Sequence, residues 1–271
     1  AVPDLGPNLL AALRMAVATG VLALIMSGLK HAWPWQHWRE LLRLGLLSVA
    51  GPHVLYSWSA LHLPAGYGAL LTVTSVLFGA FASAWLGEEA LTPSKLLGCL
   101  LGFAGAALLV RLGPVQPSND LVQGALLCVA GSALSGISTP LLKRAMARMQ
   151  PLAITAGMHA CAVLLLLPGA VFDGPRARFT WPALAAVALM GALTSGIAYW
   201  LYLRIMRHVT PMAALSSTFM ITGFGVLWAV LLLDEPASAV LLAGGALILL
   251  ACLLVTGLNP LRRAWVRANQ Q

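Results

Sequence analysis

The chain is poor in charged residues, and acidic residues are the scarcest of them. Only 9% of its 271 residues are charged, and only eight are Asp or Glu, whereas about 25% are charged in an average soluble domain. Hydrophobic residues make up 60% of the chain, and its mean hydropathy is +0.88. A soluble domain of this size cannot bury so much apolar surface. The composition therefore predicts a protein that is solvated largely by lipid.

Cysteine is also scarce, and its placement excludes a metal site or a disulfide framework. The four cysteines lie in apolar stretches without metal-ligand spacing, at Cys99, Cys128, Cys161 and Cys252. They are interpreted as small buried hydrophobic residues, so no metal and no cofactor is predicted. The net charge is +8, but the basic residues are dispersed between apolar runs, as they are beside membrane spans. The expected partners are the lipid bilayer and a small-molecule substrate, with no nucleic acid, and the protein is expected to be a monomer or a homodimer.

Nine apolar segments are long enough to cross a bilayer as helices, which takes about 20 residues each. They cover 7–29, 39–61, 65–86, 93–112, 120–143, 151–172, 181–205, 211–233 and 237–257. Twelve of the 16 basic residues fall on one side of these spans, and the other side receives Arg14, Arg111, Arg176 and Arg178. The positive-inside rule then predicts a cytoplasmic C-terminus.

The two halves of the chain are related in sequence. Residues 38–56 match residues 181–199 at an offset of 143, and Gly87-Glu88 matches Asp234-Glu235 after a four-residue insertion. These matches divide the chain into a first repeat, 1–115, with four helices and a second repeat, 116–271, with five. Because span 120–143 has no counterpart, we predict a further helix upstream of Ala1 that is absent from this chain. Five helices per repeat would make the second copy insert upside down, as in many transporters.

Several short motifs recur in order along the chain. They are LAALR at 10–14, YSWSAL at 56–61, LGEEALT at 86–92, AYWLY at 198–202 and LDEP at 233–236. In this order they resemble the drug/metabolite transporter superfamily, specifically its EamA-type ten-helix members. The resemblance implies an all-α polytopic membrane protein with an inverted five-plus-five helix repeat. It also implies export of amino acids or other small metabolites from the bacterial inner membrane, and it leaves the substrate open.

Polar side chains within the spans are the candidates for a substrate cavity. Arg14 could bind a substrate carboxylate or extend to the external interface. Hydroxyl and aromatic groups could bind a zwitterion or an aromatic ring, or could hold helices together. The predicted cavity residues are Arg14, Tyr56, Trp58, Thr72, Ser75, Ser135, Thr139, His159, Tyr199, Trp200, Ser217 and Thr222.

Two histidines and two prolines lie deep within spans. His53 and His159 could couple proton movement to transport, or could simply bond to helix carbonyls. Pro52 and Pro140 interrupt helical hydrogen bonding, and the carbonyls that they free must face protein or a watery cavity.

Glu88 and Glu235 hold equivalent positions in the two repeats, just before glycine-rich spans. A gate or proton site is one reading of this position. A cap for the following helix, or a partner for a nearby Arg, is the other.

Two other functions fit the sequence less well. An intramembrane protease of the rhomboid type needs a Gly-x-Ser-Gly nucleophile, and the nearest strings, at 134–136 and 194–196, lack the leading Gly. A phosphorylated-metabolite or nucleotide-sugar carrier should place several basic residues in its cavity, and only Arg14 and Arg204 are suitably placed. We therefore predict a transporter of neutral or zwitterionic solutes that works by alternating access, and not an enzyme.

Overall fold

The computed structural model describes residues 2–109, 118–221, 223–224 and 239–257. Within these ranges every regular element is helical, and no strand occurs. This is the architecture expected of a chain in lipid, because a helix pairs its backbone N–H and C=O groups within one segment. The predicted all-α class is therefore confirmed.

Nine helical rods, named α1 to α9, account for most of the described residues. The continuous rods are α1 (Pro7–Gly28), α4 (Pro93–Leu109), α5 (Asn119–Ala145), α6 (Pro151–Asp173), α8 (Pro211–Ile221, with a turn at Ser216) and α9 (Ala239–Thr256). The composite rods are α2 (Trp38–Leu44, Gly45–Ala50 and Gly51–Ser59), α3 (Ala65–Thr72 and Thr74–Trp85) and α7 (Trp181–Leu189, Met190–Ala198 and Tyr199–Met206).

Each rod lies at one of the spans predicted from hydropathy. Among the described residues, five helices are long and apolar enough to cross a membrane, namely Pro7–Gly28, Tyr67–Trp85, Asn119–Ala145, Pro151–Asp173 and Trp181–Met206. Shorter apolar helices lie at Pro93–Leu108, Pro211–Ile221 and Ala243–Thr256. The predicted spans 93–112, 211–233 and 237–257 extend beyond the described ranges. The protein is thus a membrane protein with many apolar helices.

Three rods, α5, α7 and α8, begin at a hydroxyl side chain that caps them. The Oγ atoms of Ser118, Thr180 and Thr210 accept hydrogen bonds from the backbone N–H three residues ahead, at 3.1, 3.4 and 3.3 Å. Such caps satisfy donors that the first turn of a helix leaves unpaired. In α7 and α8 a proline follows the cap within the first turn, where its missing N–H costs nothing.

The helix α1 is capped by a residue from another rod. The Asp173 carboxylate, at the end of α6, accepts hydrogen bonds from Asn8 N (2.7 Å) and Leu9 N (3.1 Å). The preceding Gly6 has a φ of 79°, and a Cβ there would lie within 3.0 Å of the Asp173 Cβ. Glycine is therefore required at this turn, both for its backbone conformation and for space.

The rods pack around two main apolar clusters. One cluster joins α1, α2, α5, α6 and α7 through fully buried side chains such as Met15, Leu41, Ile154 and Leu203. The other joins α3, α4, α8 and α9, with Phe219 at its centre. Tyr199 packs against the first cluster, and Arg14 and His159 lie on rods that contribute to it.

The helices α4 and α9 pack backbone to backbone. A Cβ at Gly98 would lie 3.1 Å from the Ala251 carbonyl oxygen, and a Cβ at Gly105 would lie 2.9 Å from that of Gly244. Small residues permit such close approach between membrane helices. These glycines therefore serve packing.

Two rods contain a π-helical segment, and they are the equivalent rods of the two predicted repeats. The segments are Gly45–Ala50 in α2 and Met190–Ala198 in α7. In α2 the segment ends just before Pro52, which cannot donate to the carbonyl of Ser48 and whose ring crowds it. The widened turn accommodates this defect. π-Helical turns inside α-helices are frequently found at functional sites.

Candidate substrate site

Arg14 lies on α1 and is held by hydroxyl groups of the π-helical segment of α7. Its Nε donates to Ser195 Oγ (2.7 Å), and its Nη2 donates to Thr194 Oγ1 (3.0 Å). In the described part of the chain, the ion pairs join Lys95 to Glu89, Arg144 to Glu88 and Arg148 to Glu40, and none involves Arg14. The guanidinium is thus positioned by neutral partners.

The close approach of α1 and α7 depends on a glycine. A Cβ at Gly191 would lie 2.8 Å from the Arg14 carbonyl oxygen and 2.7 Å from Val17 Cβ. No side chain fits there unless the rods move apart, so Gly191 keeps the π-helical segment within reach of the guanidinium.

His159 lies on α6 and is fully buried. Its Nδ1 is 2.7 Å from the carbonyl oxygen of Thr155, one turn earlier. Its ring packs edge-to-face with that of Tyr199, with the ring centroids 5.4 Å apart. The Tyr199 hydroxyl in turn lies 2.5 Å from Ser48 Oγ, on the π-helical segment of α2. This chain of contacts joins α2, α6 and α7.

His53 lies on α2, and its Nδ1 is 2.7 Å from the Val49 carbonyl oxygen. On α7, Ser195 lies four residues before Tyr199, so the partners of Arg14 and of His159 are on neighbouring turns of one rod. On α2, Val49, whose carbonyl oxygen contacts His53, directly follows Ser48, the partner of Tyr199. We name this set the central polar cluster; its members are Arg14, Ser48, His53, His159, Thr194, Ser195 and Tyr199.

A second tyrosine lies next to the cluster. The Tyr202 ring is 5.9 Å from that of Tyr199, one turn earlier on α7. On α5, the Thr139 hydroxyl donates to the Ser135 carbonyl oxygen at 3.1 Å. The predicted residue Thr139 therefore uses its hydroxyl within its own helix.

Other predicted cavity residues lie apart from the central polar cluster. Tyr56 donates to Ser132 Oγ on α5 (3.3 Å). Trp58 donates to Asn8 Oδ1 (3.1 Å), beside the capped start of α1. Among the described residues, no hydrogen bond links Tyr56 or Trp58 to Arg14.

Two predicted hydroxyls are used by their own helices. Thr72 donates to the Ala69 carbonyl oxygen and Ser217 to that of Ala214, each at 2.7 Å. Ser75 is buried, and its carbonyl oxygen lies against Gly136 of α5.

Trp200 lines a separate cavity of about 400 Å³ together with Arg204 and His208. Thr222 and Glu235 lie outside the described residues.

The two prolines have different surroundings. Pro52 is buried two residues after the π-helical segment of α2 ends, four residues after Ser48 and just before His53. Pro140 is buried within α5, whose helix runs on to Ala145. Sequence reasoning missed Ser48, although its place four residues before Pro52 marks it as the residue whose carbonyl the proline leaves unpaired.

A cluster of ionic contacts lies at the end of the bundle that is predicted to be cytoplasmic. Arg144 Nε lies 2.5 Å from Glu88 Oε1, and Arg144 also donates to the Leu86 carbonyl oxygen. Glu89 binds Lys95 (2.8 Å) and accepts from the backbone N–H of Met212 at the start of α8 (3.1 Å). Glu88 therefore has an arginine partner on α5, one of the roles predicted for it.

A cavity of about 720 Å³ lies beside these contacts. Its lining includes Glu88, Lys143, Tyr202, Arg207, His208 and Ser217. The Lys143 ammonium donates to the carbonyl oxygens of Met206, Arg207 and Val209 at 2.8, 2.9 and 2.8 Å. Since an ammonium group has three donors, Lys143 is fully used in stabilising the end of α7.

Comparison with known proteins identifies the family. Residues 1–111 and 122–257 match the EamA-like transporter family. The uncharacterized transporter YvbV of Bacillus subtilis is 26% identical over 276 residues, which cover 98% of this chain and 88% of that protein. A probable terminal-alkyne amino-acid exporter of Streptantibioticus cattleyicolor is 24% identical over 246 residues, which cover 89% and 81%.

A solved crystal structure shares the fold. It superposes with a TM-score of 0.78 over 92% of this chain and 88% of its own, at 22% sequence identity. Together with the apolar helical bundle, these matches show that the chain is a membrane transporter belonging to the EamA-like family of the drug/metabolite transporter superfamily.

Proposed function

We propose that this transporter exports small zwitterionic solutes, foremost amino acids and aromatic ones among them, from the bacterial cytoplasm. The observation that carries the proposal is the environment of Arg14. Its guanidinium is held by two neutral hydroxyls and has no carboxylate partner among the described residues. A cation within a membrane span is costly unless it has a partner or water. A substrate carboxylate supplies that partner, because carboxylate and guanidinium match in geometry.

The rest of the central polar cluster suits a net-neutral substrate. Its other members are hydroxyl groups, imidazoles and a phenol, so Arg14 is its one permanent charge among the described residues. The six acidic residues that are described lie near the ends of rods or in the connections, at Asp4, Glu40, Glu88, Glu89, Asp120 and Asp173. A related protein named a probable terminal-alkyne amino-acid exporter supports the same substrate class.

A phosphorylated substrate is less well supported. The 720 Å³ cavity is lined by Lys143 and Arg207, and both are cations. Lys143, however, has no donor left for a phosphate, because all three bind backbone carbonyls.

The two repeats would transport by alternating access. The contacts of Glu88 and Glu89 connect the first repeat to α5 and α8 of the second, at the predicted cytoplasmic end. They are well placed to hold that end closed while the opposite end opens, and substrate entry from the cytoplasm would require them to break.

The test is transport by the full chain in liposomes. Transport of a panel of radiolabelled amino acids is measured for the intact protein and for Arg14→Gln, each with and without a pH gradient. We expect at least one amino acid to be transported, and its transport by Arg14→Gln to fall by about 10- to 100-fold, as for the loss of a charge-assisted hydrogen bond.

The matched control is Arg43→Gln, which removes an exposed cation of α2 and should leave transport unchanged. If the intact protein transports none of the amino acids, the proposed substrate class is wrong. If Arg14→Gln transports as well as the intact protein, Arg14 does not bind the substrate.

A further inference from the structure

The imidazole of His159 has an unsatisfied ring nitrogen. Its Nε2 is buried and has no hydrogen-bond partner, and it is one of two such buried side-chain atoms among the described residues. A buried polar group without a partner is destabilising and calls for an explanation. The fully buried ring shows that neighbouring solvent does not supply the missing bond in this conformation.

The other ring nitrogen determines what Nε2 can bind. A carbonyl oxygen only accepts hydrogen bonds, so Nδ1, at 2.7 Å from the Thr155 carbonyl oxygen, must carry a proton. In a neutral imidazole, Nε2 is then an acceptor. A fully buried ring without a counter-charge is disfavoured as a cation. The atom that fits Nε2 is therefore a hydrogen-bond donor.

On the basis of the proposed function, we infer that His159 Nε2 binds the ammonium group of an amino-acid substrate whose carboxylate binds Arg14. A zwitterion brings its own negative charge to Arg14, so it can place an ammonium group in this neighbourhood without adding net charge. Arg14 and His159 lie on α1 and α6, which pack directly against each other. Together the two side chains would recognise the two ends of the amino-acid backbone.

The ring of Tyr199 packs edge-to-face against the His159 ring in the conformation described here, and its hydroxyl is tied to Ser48 on α2. Tyr199 directly follows the π-helical segment of α7, so movement of α7 relative to α6 would separate the two rings. Because Nε2 is buried here, substrate would bind it in a conformation in which such a movement has made it accessible.

The experiment compares an amino acid with the same molecule lacking its ammonium group. Phenylalanine is paired with 3-phenylpropanoate, and leucine with 4-methylpentanoate. Each compound is added as a competitor, and the uptake of a transported, labelled amino acid into liposomes is measured. Competition is measured because free carboxylic acids leak across bilayers. For the intact protein, we expect the amino acid to compete about 10- to 100-fold more strongly than its partner, the effect of one hydrogen bond to a charged group.

Variants then test whether His159 causes the preference for the amino acid over the molecule that lacks its ammonium group. His159→Leu should abolish it, and His159→Gln, whose amide oxygen can accept a hydrogen bond, should retain part of it. Thr155→Val, one turn away, should leave it unchanged because the carbonyl that orients His159 remains. Arg14→Gln should weaken both competitors and leave their ratio nearly intact. A residue that only supports the fold would change activity without changing this ratio.

Two outcomes would overturn the inference. One is that 3-phenylpropanoate and 4-methylpentanoate compete as strongly as the amino acids for the intact protein. This result does not depend on the folding of any variant. The other is a folded His159→Leu protein with the preference of the intact protein. Failure to transport any amino acid would instead count against the proposed function itself.

Discussion

Tyr199 is the residue on which several rods of the first cluster converge. Its hydroxyl meets Ser48 of α2 at 2.5 Å, and its ring contacts His159 of α6 and Tyr202 of α7. Its hydrogen bond joins two π-helical regions, one in each predicted repeat. A buried bond of this kind matters chiefly through the penalty for leaving one partner alone.

Tyr199→Phe should therefore destabilise the protein by about 1 to 3 kcal/mol, because Ser48 loses its partner while it stays buried. Ser48→Ala should have a similar effect, and the double variant should be little worse than either. The measurement is thermal unfolding in detergent of the three variants as a double-mutant cycle. Strictly additive effects would show that the two hydroxyls do not interact.

Among elements, the pair α1 and α7 shows how a single glycine controls a site. The backbone of α7 at Gly191 lies against the carbonyl of Arg14, and the next residues along α7 supply the hydroxyls that hold the guanidinium. Separation of the rods by even part of a side-chain width would lengthen both of these hydrogen bonds.

Gly191→Ala should destabilise the protein by about 1 to 3 kcal/mol through overpacking and should lower transport as well. Gly20→Ala is the matched control, because a Cβ there meets nothing within 4 Å. Alanine at that helical position should be neutral or stabilising, by up to about 1 kcal/mol. Unfolding temperature and amino-acid transport are measured for both. Equal effects of the two substitutions would mean that the close approach at Gly191 is not required.

For the whole molecule, the ionic contacts at the predicted cytoplasmic end bear on which conformation is populated. The Glu88–Arg144 pair is partly exposed, and such pairs contribute about 1 kcal/mol or less. A change of that size is small for folding, but it shifts an equilibrium between two conformations by a few-fold. The pair therefore belongs to the transport cycle more than to stability.

Glu88→Gln and Arg144→Gln should each raise the accessibility of the neighbouring cavity by a few-fold. A cysteine at Ser217, which lines that cavity, would report the change through its rate of labelling by a membrane-impermeant maleimide applied from the cytoplasmic side. Asp120→Asn, at the opposite end of α5, is the control and should leave the rate unchanged. Exchange of the two charges, Glu88→Arg with Arg144→Glu, should restore the original rate. Unchanged labelling in both single variants would exclude this contact as a gate.

The span predictions and the site predictions rest on different kinds of information. Rods such as α5 and α6 follow from apolar runs bounded by Ser118, Gln150-Pro151 and other local signals, so their positions are readable from sequence. The prediction that Tyr56 and Thr72 face a cavity rests on residue type alone and stays a prediction. In the structure their hydroxyls donate to Ser132 Oγ and to the Ala69 carbonyl oxygen. Residue type does not reveal which way a hydroxyl in a uniformly apolar helix points.

The amino-acid sequence by itself determined the all-α membrane class, the position of each described rod and the family, because hydropathy, capping and short motifs are local properties. The division into repeats at residue 115 stays a prediction. Only the tertiary structure decided that Arg14 contacts Ser195, that Tyr199 contacts Ser48, and that Nε2 of His159 is buried without a partner. These contacts depend on how each rod is rotated and how closely it approaches its neighbours. Both are set by packing between segments as far apart in sequence as α1 and α7.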